Sequence, residues 1–437
     1  MSKHDVTLEK IVALCKRRGF VYPTAEIYGG LNGLYDFGPI GTLLKQKIKY
    51  YWQKSLEKTG KSVLFFDGAI LGSQSVWDAS GHTKNFHDPM VDCLVCKKRF
   101  RADDIDLTKN CPSCGNLSWT DVRQFNLMFS THVGAMAEAG GIGYLRPETA
   151  QTIFANFKNI ISTNRVKVPF GVAQIGKAFR NEITPKQFLF RMREFEQMEL
   201  EWFCKPDSVN ETFEFWVNQQ KEYVLSLGIC KDKIRTRPHG PDELAHYSTQ
   251  CVDLEYNFPF GWKELEGIAY RGNYDLTQHS THSKKDLSVS DLDGVKYMPH
   301  VVESSIGVDR LFLTLLFDSF YEDEVDGETR SVLRFAPHIA PISVAVFPLS
   351  NTLIDPAKRL FEDIVSQGIR ADFDSSGSIG KRYRRYDEIG TPFCVTFDFE
   401  SLEDQCVTVR DRDTLKQERI ALSMLFDYLM KRGIQTI

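Results

Sequence analysis

Arginine and glutamate alternate between Phe179 and Phe203. The stretch runs Phe179-Arg180-Asn181-Glu182, passes through Thr184-Pro185-Lys186, and resumes as Phe190-Arg191-Met192-Arg193-Glu194-Phe195-Glu196-Gln197-Met198-Glu199. Two β-compatible runs around a proline-containing turn predict a long antiparallel hairpin. A period of two sets Arg180 and Glu182 on one face of the first run. In the second run it sets Arg191, Arg193 and Phe195 on one face and Met192, Glu194 and Glu196 on the other. Guanidinium binds phosphate bidentately and carboxylate binds ammonium, so this surface suits a polyphosphate together with a cationic group. A cross-strand salt-bridge ladder on a solvated sheet has the same spacing.

Other stretches carry chemistry of their own. In Trp262-Lys263-Glu264-Leu265-Glu266-Gly267-Ile268-Ala269, Glu264 and Glu266 are expected on one face, a hard-oxygen site for Mg²⁺ carried with phosphates or an ordinary solvated strand face. Pro299 to Leu313 reads as a strand, a glycine turn at Gly307 and a helix with Arg310 in its first turn. A cation there adds to the positive end of the helix dipole instead of opposing it, which suggests a bound anion; a surface arginine beside Asp309 is the alternative. Cys93-Leu94-Val95-Cys96 and Cys111-Pro112-Ser113-Cys114 are two C-x-x-C knuckles. Four thiolates at such spacing close a tetrahedral, structural zinc site, and Gly115 suits the knuckle turn. Lys97, Lys98, Arg99 and Arg101 make the loop between them basic. Gly380-Lys381-Arg382-Tyr383-Arg384-Arg385-Tyr386 suits phosphate contact with base stacking in single-stranded RNA, or a solvated helix face.

The whole chain sets the bounds. Its 437 residues, 42% hydrophobic and 26% charged, are enough for two or three domains and a large core. No apolar run nears the ~18 residues of a membrane span. A net charge of −4 gives no global attraction for nucleic acid, so RNA contact must come from local basic patches. Ten cysteines behind a charged N-terminus that lacks the form of a signal peptide point to a reducing, cytoplasmic setting.

The elements that must position these residues follow in order. Apolar spacing predicts a helix over Thr7 to Arg18 and a second from Pro39 to about Lys58, with Leu44, Ile48, Tyr51, Trp52 and Leu56 on its stripe. The stretch from Gly134 to Gly143 reads as mobile. A helix is expected behind Pro147, with Glu148 in its first turn. A strand from Arg165 to Gln174 leads into the hairpin. Residues 205–245 read as a helical insertion, 251–256 and 262–269 as strands, and 286–295 as a loop. An acidic linker over 322–330 divides a catalytic unit, 1–330, from an α/β unit, 335–437, whose core is expected to be mostly parallel.

These residues also carry a resemblance. Phe-Arg-x-Glu, a variable loop, then Arg191-x-x-x-Phe195-x-x-x-Glu199 resembles motif 2 of the class II aminoacyl-tRNA synthetases. The Gly38-Pro39 helix start resembles motif 1, which builds the dimer interface. The turn before Arg310 resembles motif 3, although the family pattern is Gly-x-x-x-Arg and Gly307-Val308-Asp309-Arg310 is shorter. Within class IIa, Leu145 to Gln151, Phe195 to Glu199, Glu303 to Gly307 and Thr408 to Asp413 resemble the homodimeric glycyl-tRNA synthetases.

The resemblance implies an antiparallel class II catalytic sheet flanked by helices, with a zinc-ribbon insertion over 88–120 and a C-terminal α/β anticodon-binding domain. Implied substrates are ATP, glycine and tRNA(Gly), joined through a glycyl-adenylate with Mg²⁺; a homodimer is implied too. It places Arg180, Asn181, Glu182, Phe190, Arg191, Arg193, Phe195, Glu264, Leu265, Gly307 and Arg310 around ATP, with Arg180, Glu182 and Arg310 catalytic. Around glycine it places Arg101, Glu148, Phe195, Glu196, Gln197, Glu199, Glu303, Ser305 and Gly307. Lys381, Arg382, Arg384, Arg410 and Arg412 would meet the tRNA anticodon. Two rivals remain: a non-catalytic synthetase-like nucleic-acid-binding accessory protein, and a class IIa synthetase for another amino acid. The first would be expected to lose Arg180 or Arg310, and a carboxylate-rich pocket argues against the second. A fragment ending near Arg330 is expected to keep amino acid activation and lose tRNA charging.

Overall fold

In the computed structural model, which describes residues 6–134, 141–185, 187–245, 248–325 and 327–436, the predicted hairpin is the middle of a seven-stranded sheet. The stretch read as mobile, Gly134 to Gly143, falls largely outside those residues. The strands are β1 (Val63–Phe65), β2 (Phe170–Phe179), β3 (Glu194–Cys204), β4 (Ile234–Pro238), β5 (Gln250–Phe258), β6 (Gly261–Gly272) and β7 (His300–Gly307). They stand in the order β4-β5-β6-β7-β3-β2-β1, and only β1 and β2 run parallel.

Alternation along the strands gives the sheet two unlike faces. Met198, Leu200 and Trp202 of β3, Ile268 of β6, and Val302 and Ile306 of β7 enter the main hydrophobic core. The helices α1 (Leu8–Arg18), α2 (Pro39–Glu57), α4 (Val209–Ser226) and α6 (Val308–Ser319) share that core. The other face is apolar at one end, where Phe170, Val172, Phe203 and Val301 pack with α3 (Ala150–Ala155) and α5 (Tyr274–Ser283). At its other end it carries carboxylates and arginines. In α6 only Arg310 and Asp318 escape full burial. A helix enclosed at crystal-like packing density cannot slide, so Arg310 at its start is held in place.

Several expectations are corrected. Phe179 pairs with Glu194, so residues 180–193 form a loop with a 3₁₀ turn at Phe188–Phe190. Gln187 and Phe188 take positive φ there, which breaks the second run, and Arg191 and Arg193 share no strand face with Phe195. Thr149 is the N-cap residue of α3, which leaves Glu148 just ahead of the helix and not in its first turn. The helical reading of 205–245 ends at Ser226. Ile234 and Thr236 then favour β4, tied to β5 by Arg235 and Arg237 on Glu255. The acidic linker is a hairpin, Phe320–Val325 with Glu328–Leu333, in which Arg330 grips Asp323.

The C-terminal unit comprises β8 (Val344–Pro348), α7 (Ile354–Ser366), β9 (Ala371–Phe373), α8 (Ile379–Ile389), β10 (Phe393–Phe397), β11 (Cys406–Asp411), β12 (Gln417–Ala421) and α9 (Leu425–Lys431). Its order is β9-β8-β10-β11-β12: the first three strands form the expected parallel core, and β11 and β12 extend it as an antiparallel hairpin. One side has its own core, but Ala345, Phe347, Tyr386, Ile389 and Cys394 join the main one. A chain cut near Arg330 would split a hairpin strand and open shared core, which removes the basis for a self-sufficient fragment. No helix among the described residues is long and apolar enough to cross a membrane.

Polar groups close the junction of the two units. Asp387, with no solvent exposure, takes both Arg410 Nη1 at 2.9 Å and Nη2 at 3.0 Å, and Arg330 Nη1 at 3.3 Å. Removing Asp387 would leave the buried Arg410 guanidinium without its carboxylate and would strip Arg330 of one of its two, the other being Asp323. Asp387→Ala is therefore expected to lower unfolding stability by about 3–5 kcal/mol, read as a shift in the denaturant midpoint.

Candidate active site

Two rungs of the sheet form the floor of the site. Asp253, Gly267, Ser305, Glu199 and Gln174 stand side by side across β5, β6, β7, β3 and β2; one step along, Cys251, Ala269, Glu303 and Glu201 do the same. The small residues in the middle leave space. A Cβ added at Gly267 would meet nothing closer than Asp253 Oδ1 at 3.9 Å and Glu264 Oε1 at 4.0 Å. A cavity of about 420 Å³ opens over this floor. It is lined by Glu148, Arg180, Glu182, Phe190, Arg191, Phe195, Gln197, Glu199, Glu264, Leu265, Glu303, Ser305, Gly307 and Arg310 among others.

One end of the cavity is anionic. Glu303 accepts from Arg271 Nη1 at 2.5 Å, and Arg271 also clamps Asp275 through Nε at 2.7 Å and Nη2 at 2.9 Å. Glu199 accepts from the Thr149 hydroxyl. Burial, reinforced by Glu303 and Glu148, pushes its carboxyl up to about 8. Burial also disfavours charge on Glu148, but His82 at 3.3 Å, Arg271 and the Gln151 amide outweigh it and hold Glu148 well below the usual carboxylate range. Gln197 Nε2 donates to Ser305 Oγ at 3.1 Å. An ammonium group is the complement of this end.

The other end is cationic. Arg180 donates through Nε to the Pro147 carbonyl at 3.1 Å and lies between the Phe86 and Phe195 rings. Arg310 donates through Nη1 to the Glu264 carbonyl at 2.8 Å, with the Glu264 carboxylate 3.3 Å away and the Phe190 ring 4.3 Å from its guanidinium carbon. Arg191 faces Glu182, whose acidity burial weakens against the pull of Arg191 and Arg180. Neither Arg180 nor Arg310 is bound by a carboxylate on both edges, so both keep donors to offer a phosphate.

Five of the residues proposed from sequence sit elsewhere. Glu196 is on the reverse face of β3, in ion pairs with Lys45 and Lys49 at 3.0 Å each, because its parity is opposite to that of Phe195 and Gln197. Arg193 holds the Glu182 and Asn32 carbonyls at 2.9 and 2.8 Å and lies off the cavity wall. The Asn181 backbone donates to Leu127 and its side chain is not on the wall. Arg101 pairs with Asp88 at 3.2 Å, outside the lining. Glu266 does not share a face with Glu264: a bulge at Leu265 reverses the parity, and Glu266 is buried against Ser304 Oγ at 2.7 Å. Sequence reasoning in turn overlooked Arg271, Asp275, His82 and Glu201. The only signal for the first pair was an arginine four residues before an aspartate at a strand-to-helix turn.

The basic residues of the C-terminal unit are mostly structural. Arg382 is buried and donates to the Pro348, Asp374 and Gly377 carbonyls. Arg410 is bound by Asp387, and Arg412 donates to the Gly390 and Phe335 carbonyls and to Asp413. Guanidinium groups this buried, with their terminal nitrogens engaged inside the unit, are not presented to RNA phosphates, so these three are corrected to scaffold residues. Arg384 reaches the Val325 carbonyl; Lys381 is exposed.

The four knuckle cysteines gather at one end of a three-stranded ribbon, His87–Asp92 with Arg99–Arg101 and Arg123–Asn126, a little wider than 88–120. Cys93 and Cys114 sulfurs stand 3.6 Å apart and Cys96 and Cys111 sulfurs 3.8 Å apart. Zinc–thiolate bonds of about 2.3 Å in a tetrahedron require about 3.8 Å between sulfurs, so the donor set fits a structural zinc ion. Hydrogen bonds from Asn116 lower the Cys114 thiol to about 6, toward the thiolate that a metal needs. Freshly purified protein should carry about one zinc per chain by elemental analysis, and Cys111→Ser should release it and destabilise the ribbon; less than about half an equivalent would contradict this.

Comparison with known proteins agrees with the geometry. Residues 140–319 match the tRNA synthetase class II core domain (G, H, P, S and T), and residues 343–432 match the anticodon binding domain. The chain is 49% identical to the glycine–tRNA ligase of Caldanaerobacter subterraneus subsp. tengcongensis, over 98% of each chain. It is 50% identical to that of Acetivibrio thermocellus over 97% of each, and 48% identical to that of Geobacillus kaustophilus over 98% of this chain and 99% of the relative. With a class II sheet, a carboxylate pocket beside two arginines, and likeness along nearly its whole length, this chain belongs to the glycine–tRNA ligase family.

Proposed function

We propose that the cavity on the front of the sheet forms glycyl-adenylate from glycine and ATP, and that the chain then passes glycine to tRNA(Gly). The observation that carries this reading is the division of one cavity into an anionic end and a cationic end over a floor of glycine and alanine. Glycine offers only an ammonium and a carboxylate. Glu148, Glu199 and Glu303 receive the ammonium, and Ser305 and Gln197 close the pocket wall. A larger amino acid is rejected by contact with these side chains, the easy direction of discrimination, so no editing site is needed.

The glycine carboxylate attacks the α-phosphorus in line as the α–β phosphoanhydride bond breaks and pyrophosphate leaves, and Arg180 stabilises the charge that develops there. Arg310, fixed by its buried helix, holds the distal phosphates. Phe195 and Phe190 offer ring faces to the adenine. Glu264 and Asp253 Oδ1 flank the open space above Gly267, an oxygen pair that fits Mg²⁺ bound to ATP; the metal would neutralise phosphate charge. Neither rival reading has such support: both arginines and Glu264 face the cavity, beside a carboxylate-rich end.

The C-terminal unit, 335–437, is proposed to read the anticodon, with Lys381 and the neighbouring Arg384 as its remaining basic contacts. A homodimer is proposed across α2 and the sheet edge at β1, where Tyr50 and Phe65 expose aromatic surface. The test is kinetic. Glu303→Gln should raise the Michaelis constant for glycine ~30- to 1,000-fold while leaving that for ATP within about threefold, as expected for loss of a charge-assisted bond in a dry pocket. Unchanged glycine kinetics would remove Glu303 from the pocket.

A further inference from the structure

Of the two carboxyl groups of the anionic end that substrate binding does not use, Asp275 is clamped by Arg271, and Glu201 is the other. It stands beside Glu303 on the deeper rung, has no solvent exposure, and does not line the cavity. Its other rung neighbour is Val172, and the next residue on its face of β3 is Phe203; both belong to the apolar cluster under α3 and α5. Among the described residues, no N–H or hydroxyl donor reaches either of its oxygens. Carboxylate oxygens of Glu199, Glu201 and Glu303 lie within 4.8 Å of one another, and Glu201 is within hydrogen-bonding reach of Glu303. Two carboxyl groups in contact, with no donor between them, can bond only if one of them carries a proton.

We propose that Glu201 is a positioning residue that acts as a neutral carboxylic acid, donating its O–H to Glu303 so that Glu303, held on its other side by Arg271, presents a fixed carboxylate to the substrate ammonium. The proposal rests on the reading of Glu303 as an ammonium ligand. Charge balance supports it. Glu201 is faced by Glu303 from β7, Glu199 from its own strand, Asp275 from α5 and Arg271 from β6, with Glu148 and His82 one shell further out. Five carboxyl groups thus surround one guanidinium and one imidazole. Burial, then Glu303, raises the Glu201 carboxyl well above the ordinary range. The three glutamates together have the donor count of a metal site, but a cation is already in place: Arg271 Nη1 lies 2.5 Å from Glu303.

The test uses the full-length protein and the variants E201Q, E201A and E303Q. Glutamine keeps an N–H donor for Glu303 but cannot ionise. E201A is expected to raise the glycine Michaelis constant about 10- to 30-fold in glycine-dependent ATP–pyrophosphate exchange, with that for ATP within about twofold. E201Q should rescue most of this loss, to within about threefold of the wild type. The infrared difference spectrum of ligand-free wild type minus E201Q should contain a protonated-carboxyl carbonyl band of its own, since the contribution of Glu199 is common to both proteins and cancels. If E201Q is as impaired as E201A, or if the difference spectrum lacks that band, Glu201 works as an anion and the proposal is overturned. An unaffected glycine constant in E201A also overturns it. Normal glycine kinetics in E303Q would instead sink the underlying reading of the pocket, while the infrared band would still decide the protonation of Glu201. Should E201A fail to fold, E201Q and the band decide the question alone.

Discussion

Five buried carboxyl groups gathered around Arg271 set the terms for the rest of the catalytic unit. Isolated charges of one sign cannot be taken out of water at tolerable cost, so each carboxylate must be paired, hydrogen-bonded or protonated. Arg271 hydrogen-bonds two of the five, Asp275 and Glu303, and stands 3.8 Å from a third, Glu148; its guanidinium is itself almost inaccessible to solvent. His82, Gln151 and Thr149 supply the remaining donors from the loops and short helices around the pocket. Carboxyl groups still outnumber the cations among them, which leaves a deficit of positive charge. An ammonium group fits the place that this deficit creates, which makes the empty pocket itself a recognition device.

Specific geometry demands that both ends of the cavity stay in register, and the reverse side of the sheet provides that rigidity. Lys45 of α2 meets Asp309 of α6 at 2.6 Å and Glu196 of β3 at 3.0 Å, and the Glu196 backbone donates to Asp309 at 2.7 Å. This buried knot ties α2, the central strand and the helix that carries Arg310. With Lys49 also on Glu196, two lysines meet two carboxylates, so its charge is balanced, unlike that of the pocket in front. The same strand therefore serves both purposes: Phe195, Gln197 and Glu199 of β3 face the cavity, and the even-numbered residues between and beyond them face scaffold.

Much of this was legible in the sequence where local rules govern. Period-two alternation identified β3, the strand, glycine turn and helix pattern identified β7 and α6, the Gly-Pro start identified α2, and C-x-x-C spacing identified the cysteine cluster. Glu199, Glu303 and Ser305 were found by resemblance and lie on adjoining rungs. The failures have distinct physical causes. The bulge at Leu265 reversed the parity on which Glu266 depended. Positive φ at Gln187 and Phe188 turned half of the expected hairpin into a loop, displacing Arg193. Arg382, Arg410 and Arg412 looked like RNA contacts because a buried arginine paired to distant carbonyls has no local signature. Arg271 was missed because its role depends on contacts 32 residues away in sequence, at Glu303. The division at the acidic stretch misjudged a hairpin whose hydrogen bonds and shared core join the two units.

The central claim is that an anionic pocket over a floor of glycine and alanine recognises an amino acid with no side chain. Amino-acid-dependent ATP–pyrophosphate exchange, run side by side with glycine, alanine, serine and proline, tests it most directly. The account predicts robust exchange with glycine and, for alanine, kcat/KM lower by about 100-fold or more, since contact with a filled wall opposes even one added methyl group. Comparable exchange with alanine or proline, or none with glycine, would contradict it.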